Sequence, residues 1–177
     1  MSTAASPPAS KPLIVIMGVS GSGKSSVGEL LAERLGVPFI EGDKLHPKAN
    51  IEKMSAGTPL DDEDRWPWLD IIGEKLVAAR NTGAILSCSA LKKIYRDRLR
   101  NAVGNDLTFV YLDGSRDLLM ERLTDRPGHF FKPALLDSQL ETLEKPQDEP
   151  RTLTVDVTPP QEEIVEDIVE TLKKLAR

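Results

Sequence analysis

Residues Gly18–Ser25 read GVSGSGKS and fit the pattern G-x-x-x-x-G-K-[ST], which few architectures accommodate. The run Leu13–Met17 before it is wholly apolar, and the stretch Ser25–Leu35 after it places Val27, Leu30, Leu31 and Leu35 at helical spacing. The local order implied is strand, loop, helix. In that order the glycines let the backbone wrap tightly, so that loop N–H groups and the positive helix terminus face a polyphosphate. The cradling set is Gly18, Ser20, Gly21, Ser22, Gly23, Lys24, Ser25 and Ser26. Lys24 is placed to reach the β- and γ-phosphates, and Ser25 to hold Mg²⁺. The bland alternative is a glycine-rich turn that binds nothing.

Five β-like runs alternate with helical patterns: Leu13–Met17, Pro38–Glu41, Ala84–Ser89, Leu107–Leu112 and Leu153–Val157. Helices are expected near 25–35, 47–56, 62–80, 91–102, 115–125, 133–144 and 160–176. Such alternation predicts an α/β fold, a three-layer structure with a five-stranded parallel sheet between helices. The 177 residues, 40% of them hydrophobic, suffice for one core and argue against two independent domains. Residues 1–11 are small, polar and proline-containing, as expected of a disordered leader, which leaves 12–177 as the domain.

A net charge of -5 disfavours a nucleic-acid partner. One cysteine excludes an intrachain disulfide, and no apolar stretch is long enough to span a membrane. The chain therefore reads as cytoplasmic.

The phosphate loop alone does not separate a kinase from a GTPase or a motor ATPase. No N-K-x-D guanine-reading segment or D-x-x-G switch is present. Asp113 ends the fourth run and imitates a Walker-B acid, but Gly114-Ser115 after it reads better as a turn with Ser115 capping a helix.

Charged and polar residues gather where strands end. Asp43 follows the second run and is a candidate to accept or orient an acceptor hydroxyl proton; capping the helix near His46-Pro47 is its other reading. Arg65, beside Trp66 and Trp68, is a candidate fork for an acceptor carboxylate, with the tryptophans as apolar walls. Against that, Arg65 could pair with Asp61 or Asp62 while the tryptophans pack the core. Ser89 is either a ligand contact or a helix cap. Lys92 and Arg96, four apart, are expected to share a helix face that extends the positive surface of the pocket. Lys93, Arg98 and Arg100 read as solvated charge, with Asp97 as a partner.

The segments GVSGSGKSSVG, EGDKLHPKANIEKMSAGTPLDDEDRWPWL, SCSALKKIYRDRLR and YLDGS through RLTDRPGHFFKPALLDSQLETLEKP closely resemble the gluconate kinases, a group of shikimate-kinase-like small P-loop kinases. The resemblance implies ATP- and Mg²⁺-dependent phosphorylation of D-gluconate on its 6-hydroxyl. It also places an acceptor-binding arginine in the region of Arg65. By the same likeness the segment from about 122 to 134 resembles a lid, with Arg122 lying on adenine and Arg126 reaching the transferring phosphate. Read from the residues alone, the two arginines could equally complement a helix C-terminus. His129 is a candidate contact for gluconate or phosphate, and Thr158-Pro159-Pro160 a candidate wall of the adenine site. A homodimer is compatible with the resemblance. The alternatives are a small kinase acting on another hydroxy acid such as shikimate, and a non-catalytic ATP-binding module.

Overall fold

Five consecutive apolar residues with Ile and Val among them make β1 (Leu13–Met17) a strand buried on both faces. In the computed structural model, which describes residues 11–125 and 133–175, this strand is the centre of one parallel sheet. The others are β2 (Phe39–Glu41), β3 (Ala84–Ser87), β4 (Leu107–Asp113) and β5 (Thr152–Asp156). Their spatial order is β2-β3-β1-β4-β5, and every neighbouring pair is parallel. Parallel neighbours need crossover connections. Seven helices are described: α1 (Lys24–Leu35), α2 (Lys48–Ser55), α3 (Asp62–Ala78), α4 (Lys93–Val103), α5 (Arg116–Thr124), α6 (Pro133–Thr142) and α7 (Gln161–Leu175).

The two-residue period of β1 divides the core. Leu13, Val15 and Met17 face a layer built from Trp68, Leu69, Ile72 and Leu76 of α3 and Tyr95, Leu99 and Val103 of α4. Ile14 and Ile16 face Val27 and Leu31 of α1 and Ile164, Val165 and Ile168 of α7. Each of these side chains contributes roughly 1.5–3 kcal/mol by leaving water. The expected three-layer architecture and the apolar stripe of α7 are both present.

Strand order reverses direction at β1, which has β3 on one side and β4 on the other. A crevice forms outside the carboxyl ends of the strands at such a switch point. The segments that follow β1, β2 and β3 lie at this end of the sheet.

Candidate active site

The loop after β1 holds its shape through its own atoms. Ser22 Oγ donates to the Val19 carbonyl at 2.7 Å, Lys24 Nζ donates to the same oxygen at 3.1 Å, and Gly18 N–H reaches Ser89 O at 3.3 Å. Gly21 and Gly23 have φ of 83° and 89°, values that L side chains rarely adopt. A Cβ at Gly21 would also lie 2.8 Å from Leu123 Cγ and 3.0 Å from Leu119 O, so the loop rests directly on α5. Gly23 is the N-cap of α1, no side chain caps that helix, and its first turn carries no acid. An uncapped first turn presents N–H groups and the positive end of the helix to an anion.

Beside the loop, Gly21, Gly23, Ser26 and Arg122 line a cleft of about 420 Å³ together with Pro159, Pro160 and Ile164. Arg122 Nη2 donates to Val157 O at 2.5 Å, and Asp156 Oδ1 accepts from Thr158 N and Oγ at 3.0 and 2.7 Å. The loop after β5 is thereby fixed opposite the phosphate loop. Two prolines and an arginine facing a row of N–H donors suit a flat base attached to phosphates.

Toward β2 the sequence reading missed a residue. Ser25 Oγ donates to Glu41 Oε2 at 2.7 Å, and Ser87 Oγ donates to Glu41 Oε1 at 2.7 Å. Glu41 therefore links the phosphate loop to the end of β3. Its signal in the sequence was its position as the last residue of β2, two before Asp43. The turn that follows, Gly42–Leu45, is 3-10 helical and carries Asp43. Gly42 is required there by close approach, since a Cβ would fall 1.9 Å from Ser87 O. Trp68 Nε1 donates to Gly42 O at 2.9 Å, and the Trp68 ring stacks on His46 with centroids 4.0 Å apart. Asp43 is exposed and does not cap α2, whose N-cap is Pro47 with no side-chain bond.

Arg65 donates to Leu60 O at 2.6 Å and to Tyr95 Oη at 3.2 Å, with its guanidinium 5.3 Å from the Tyr95 ring centroid. Asp62 takes Lys92 Nζ at 3.0 Å and the Tyr95 hydroxyl. The Tyr95 and Lys92 bonds, with burial opposing them, hold the Asp62 carboxyl below the usual carboxylate range. Burial and the bond to Asp62 push the Tyr95 phenol up. Within the cluster Asp62 is thus taken by Lys92 and Tyr95, while the Arg65 guanidinium meets a carbonyl and a phenol. Tyr95 was not expected in it.

Several expectations are corrected. Trp68 is a core residue, 2% exposed, and Trp66 packs edge-on against Tyr95 under the Arg98 guanidinium, so neither serves as a free apolar wall. Lys92 and Arg96 share no helix face. Lys92 is the extended N-cap of α4, with φ of -107° and ψ of 148°, and Arg96 turns into the protein. The Arg96 side chain is 0% exposed, bonded to Ala90 O, Glu144 O and Glu149, and has no route to a ligand in the crevice. Arg100 is no solvated charge either, being paired with Glu149 at 2.9 Å and lying over Phe109. Ser89 does not cap α4; its carbonyl holds Gly18 instead. Ser115 caps α5 as expected, its Oγ accepting from Leu118 N at 3.2 Å. Arg126 and His129, most of the leader and the centre of the lid-like segment lie outside the described residues.

Cys88, just beyond β3, donates its N–H to Ile16 O at 3.0 Å. Burial pushes its thiol up to about 12, opposed by a backbone hydrogen bond at Ala90.

A phosphate loop at the switch point of a parallel sheet, with Glu41 at the end of β2, Asp43 just beyond it and a cluster of Arg65, Lys92 and Asp62 at the starts of α3 and α4, defines a small-molecule P-loop kinase. The family described as shikimate kinase matches residues 20–173. The thermoresistant gluconokinase of Escherichia coli K12 is 47% identical over 165 residues, covering 92% of this chain and 94% of that protein. The gluconokinase of Gluconobacter oxydans 621H is 51% identical over 148 residues, 80% of each. The crystal structure of a gluconokinase from Sinorhizobium meliloti 1021 superposes with a TM-score of 0.87 at 56% identity over 93% of each chain. The chain belongs to the gluconokinases, a branch of the shikimate kinase family.

Proposed function

We propose that the protein transfers the γ-phosphoryl group of ATP to the 6-hydroxyl of D-gluconate, giving 6-phosphogluconate and ADP. The observation that carries this reading is the joining of the phosphate loop to the ends of β2 and β3, where Glu41 accepts from Ser25 and Ser87 and Asp43 follows two residues on: phosphate-binding groups meet a carboxylate that can take a hydroxyl proton. The relatives named gluconokinase supply the identity of the acceptor.

The first turn of α1 and Lys24 hold the phosphates, and Arg122 with Pro159 and Pro160 encloses the base. In the transfer the β,γ-bridging P–O bond breaks, the C6 oxygen bonds to phosphorus, and the hydroxyl proton passes to Asp43. Arg126 is proposed to meet the transferring group. Ser25 Oγ and Glu41, both hard oxygen donors, fit Mg²⁺, which characteristically takes one or two protein oxygens alongside substrate phosphates. When bound, Mg²⁺ neutralises phosphate charge. In the acceptor cluster, Arg65 and Lys92 outnumber Asp62, so one positive charge is left for the gluconate carboxylate. The anchor and the reacting hydroxyl sit at opposite ends of the acceptor, which makes Arg65 a positioning group.

An acceptor panel tests this by following ADP release with gluconate, shikimate and glucose. Gluconate should be turned over and neutral glucose should be poor. Arg65→Ala should lose roughly 30- to several-thousand-fold in gluconate kcat/KM, the effect of truncating one partner of a buried charged pair, with little change in ATP affinity. Efficient glucose phosphorylation, or a normal Arg65→Ala enzyme, would show that the anchor is elsewhere. Preference for shikimate would reassign the acceptor.

A further inference from the structure

One contact to the phosphate loop comes from far along the chain. The Ser20 N–H donates to Gln139 Oε1 at 2.7 Å, across 119 positions of sequence. A backbone N–H can only donate, so the near atom of the Gln139 amide must be its oxygen. The side chain comes from α6, and α6 is held firmly. Leu136 is fully buried with Val19, Leu119 and Leu123, while Leu140 and Leu143 pack against the same cluster. Arg116 of α5 also forks onto Asp137, with bonds of 2.6 and 3.1 Å.

The outer turn of the loop, Val19–Gly21, is therefore gripped on two sides. Gly21 lies against α5, as its close approach to Leu119 O and Leu123 requires, and Ser20 is tied to α6. The rest of the loop has a different anchor, the first turn of α1. A loop anchored at its helical end alone would still bind phosphates, but the position of its outer turn would be set less firmly.

We propose that Gln139 is a positioning residue for phosphoryl transfer: by holding the Ser20 N–H it fixes the outer turn of the phosphate loop, so that the loop is set for transfer and not only for binding. The inference rests on the phosphotransfer reading above and deepens it. It predicts a division of labour in which α1 and Lys24 determine nucleotide affinity, while Gln139, acting through Ser20, influences the rate of the chemical step. Misplacement of reacting groups by as little as an ångström can cost about 10²-fold in rate.

The test compares Gln139→Leu, which keeps the size and removes the acceptor, with Gln139→Glu, which keeps an oxygen for Ser20. ADP affinity is measured by calorimetry, steady-state kinetics by ADP release with gluconate, and exchange of the Ser20 amide by ¹⁵N NMR. Gln139→Leu should bind ADP within about threefold of wild type, lose protection at Ser20, and lose roughly 10- to 100-fold in kcat. Gln139→Glu should keep Ser20 protected and recover most of kcat, with a higher KM for ATP because its charge repels the phosphates. A wild-type kcat in Gln139→Leu overturns the proposal, and so does a Gln139→Glu enzyme as slow as the leucine variant. Equal losses of ADP affinity and kcat overturn it as well, since they would indicate a general defect of the site. Should wild type bind ADP yet fail to phosphorylate gluconate, the assigned acceptor is wrong, and unchanged Ser20 exchange in Gln139→Leu would still overturn the contact itself.

Discussion

His46 shows how a single side chain near the site couples packing to protonation. Asn50 Nδ2 donates to Asp64 O at 2.9 Å and lies 3.2 Å from His46 Nδ1, which must then be the unprotonated acceptor. Burial against Trp68 lowers the pKa of the ring; Asp43 opposes that shift and Arg65 adds to it. A base whose folded pKa lies below its unfolded value of about 6.5 favours the fold most when neutral. Stability is therefore complete above that value, declines as pH falls below it, and levels off below the folded value. Melting curves between pH 7.5 and 5 should show this decline, and His46→Gln should flatten it. A variant with the same pH slope as wild type would place the titration elsewhere. His46 was legible in the sequence only as the residue before a proline, because its stacking partner lies 22 positions away.

At the scale of elements, the wrongly read arginine has the clearest energetic consequence. Periodicity revealed where helix and strand occur, and each expected element is present with ends shifted by a few residues. It could not reveal that Lys92 lies outside α4, and without that the four-residue spacing to Arg96 carries no geometry. The partner that turns Arg96 inward, Glu149, is 53 residues on. Arg96 and Glu149 are 0% and 5% exposed, and Arg100 shares the same carboxylate. Burial raises the Glu149 pKa, but the hydrogen bonds and charges of the two arginines outweigh it and hold the carboxyl below its ordinary value. Glu149→Ala would leave the buried Arg96 guanidinium without its carboxylate, at a cost of about 3–5 kcal/mol, while Arg100 keeps Asp97 at 3.1 Å. Urea denaturation should show that loss, and a change below about 1 kcal/mol would mean that Arg96 finds other partners. The turn of the phosphate loop, by contrast, was legible because part of its bonding is local, with Ser22, Lys24 and Val19 satisfying one another within six residues, whereas its ties to Ser89, Glu41 and Gln139 come from distant sequence and were not.

For the molecule as a whole, occupancy of the phosphate loop should be visible in thermal stability. A ligand that binds only the folded state at a hundred times its Kd adds about 2.7 kcal/mol. For a chain of this size that corresponds to a rise in Tm of roughly 5–11 °C. ADP should produce such a rise in wild type. Lys24→Ala, half-exposed and outside the core, should melt within about 2 °C of wild type without ligand and show a much smaller rise with it. An undiminished shift would remove Lys24 from phosphate binding. The sheet that carries this loop also shelters the only sulfhydryl of the chain. Cys88 is 0% exposed just beyond the end of β3, a strand flanked by β1 and β2, and burial disfavours its thiolate. Alkylating reagents and oxidants need that thiolate and access to it, so the native protein should resist both. Modification at Cys88 would then record the moments when the centre of the sheet comes apart, making this sulfur a built-in clock for unfolding that substrates should slow.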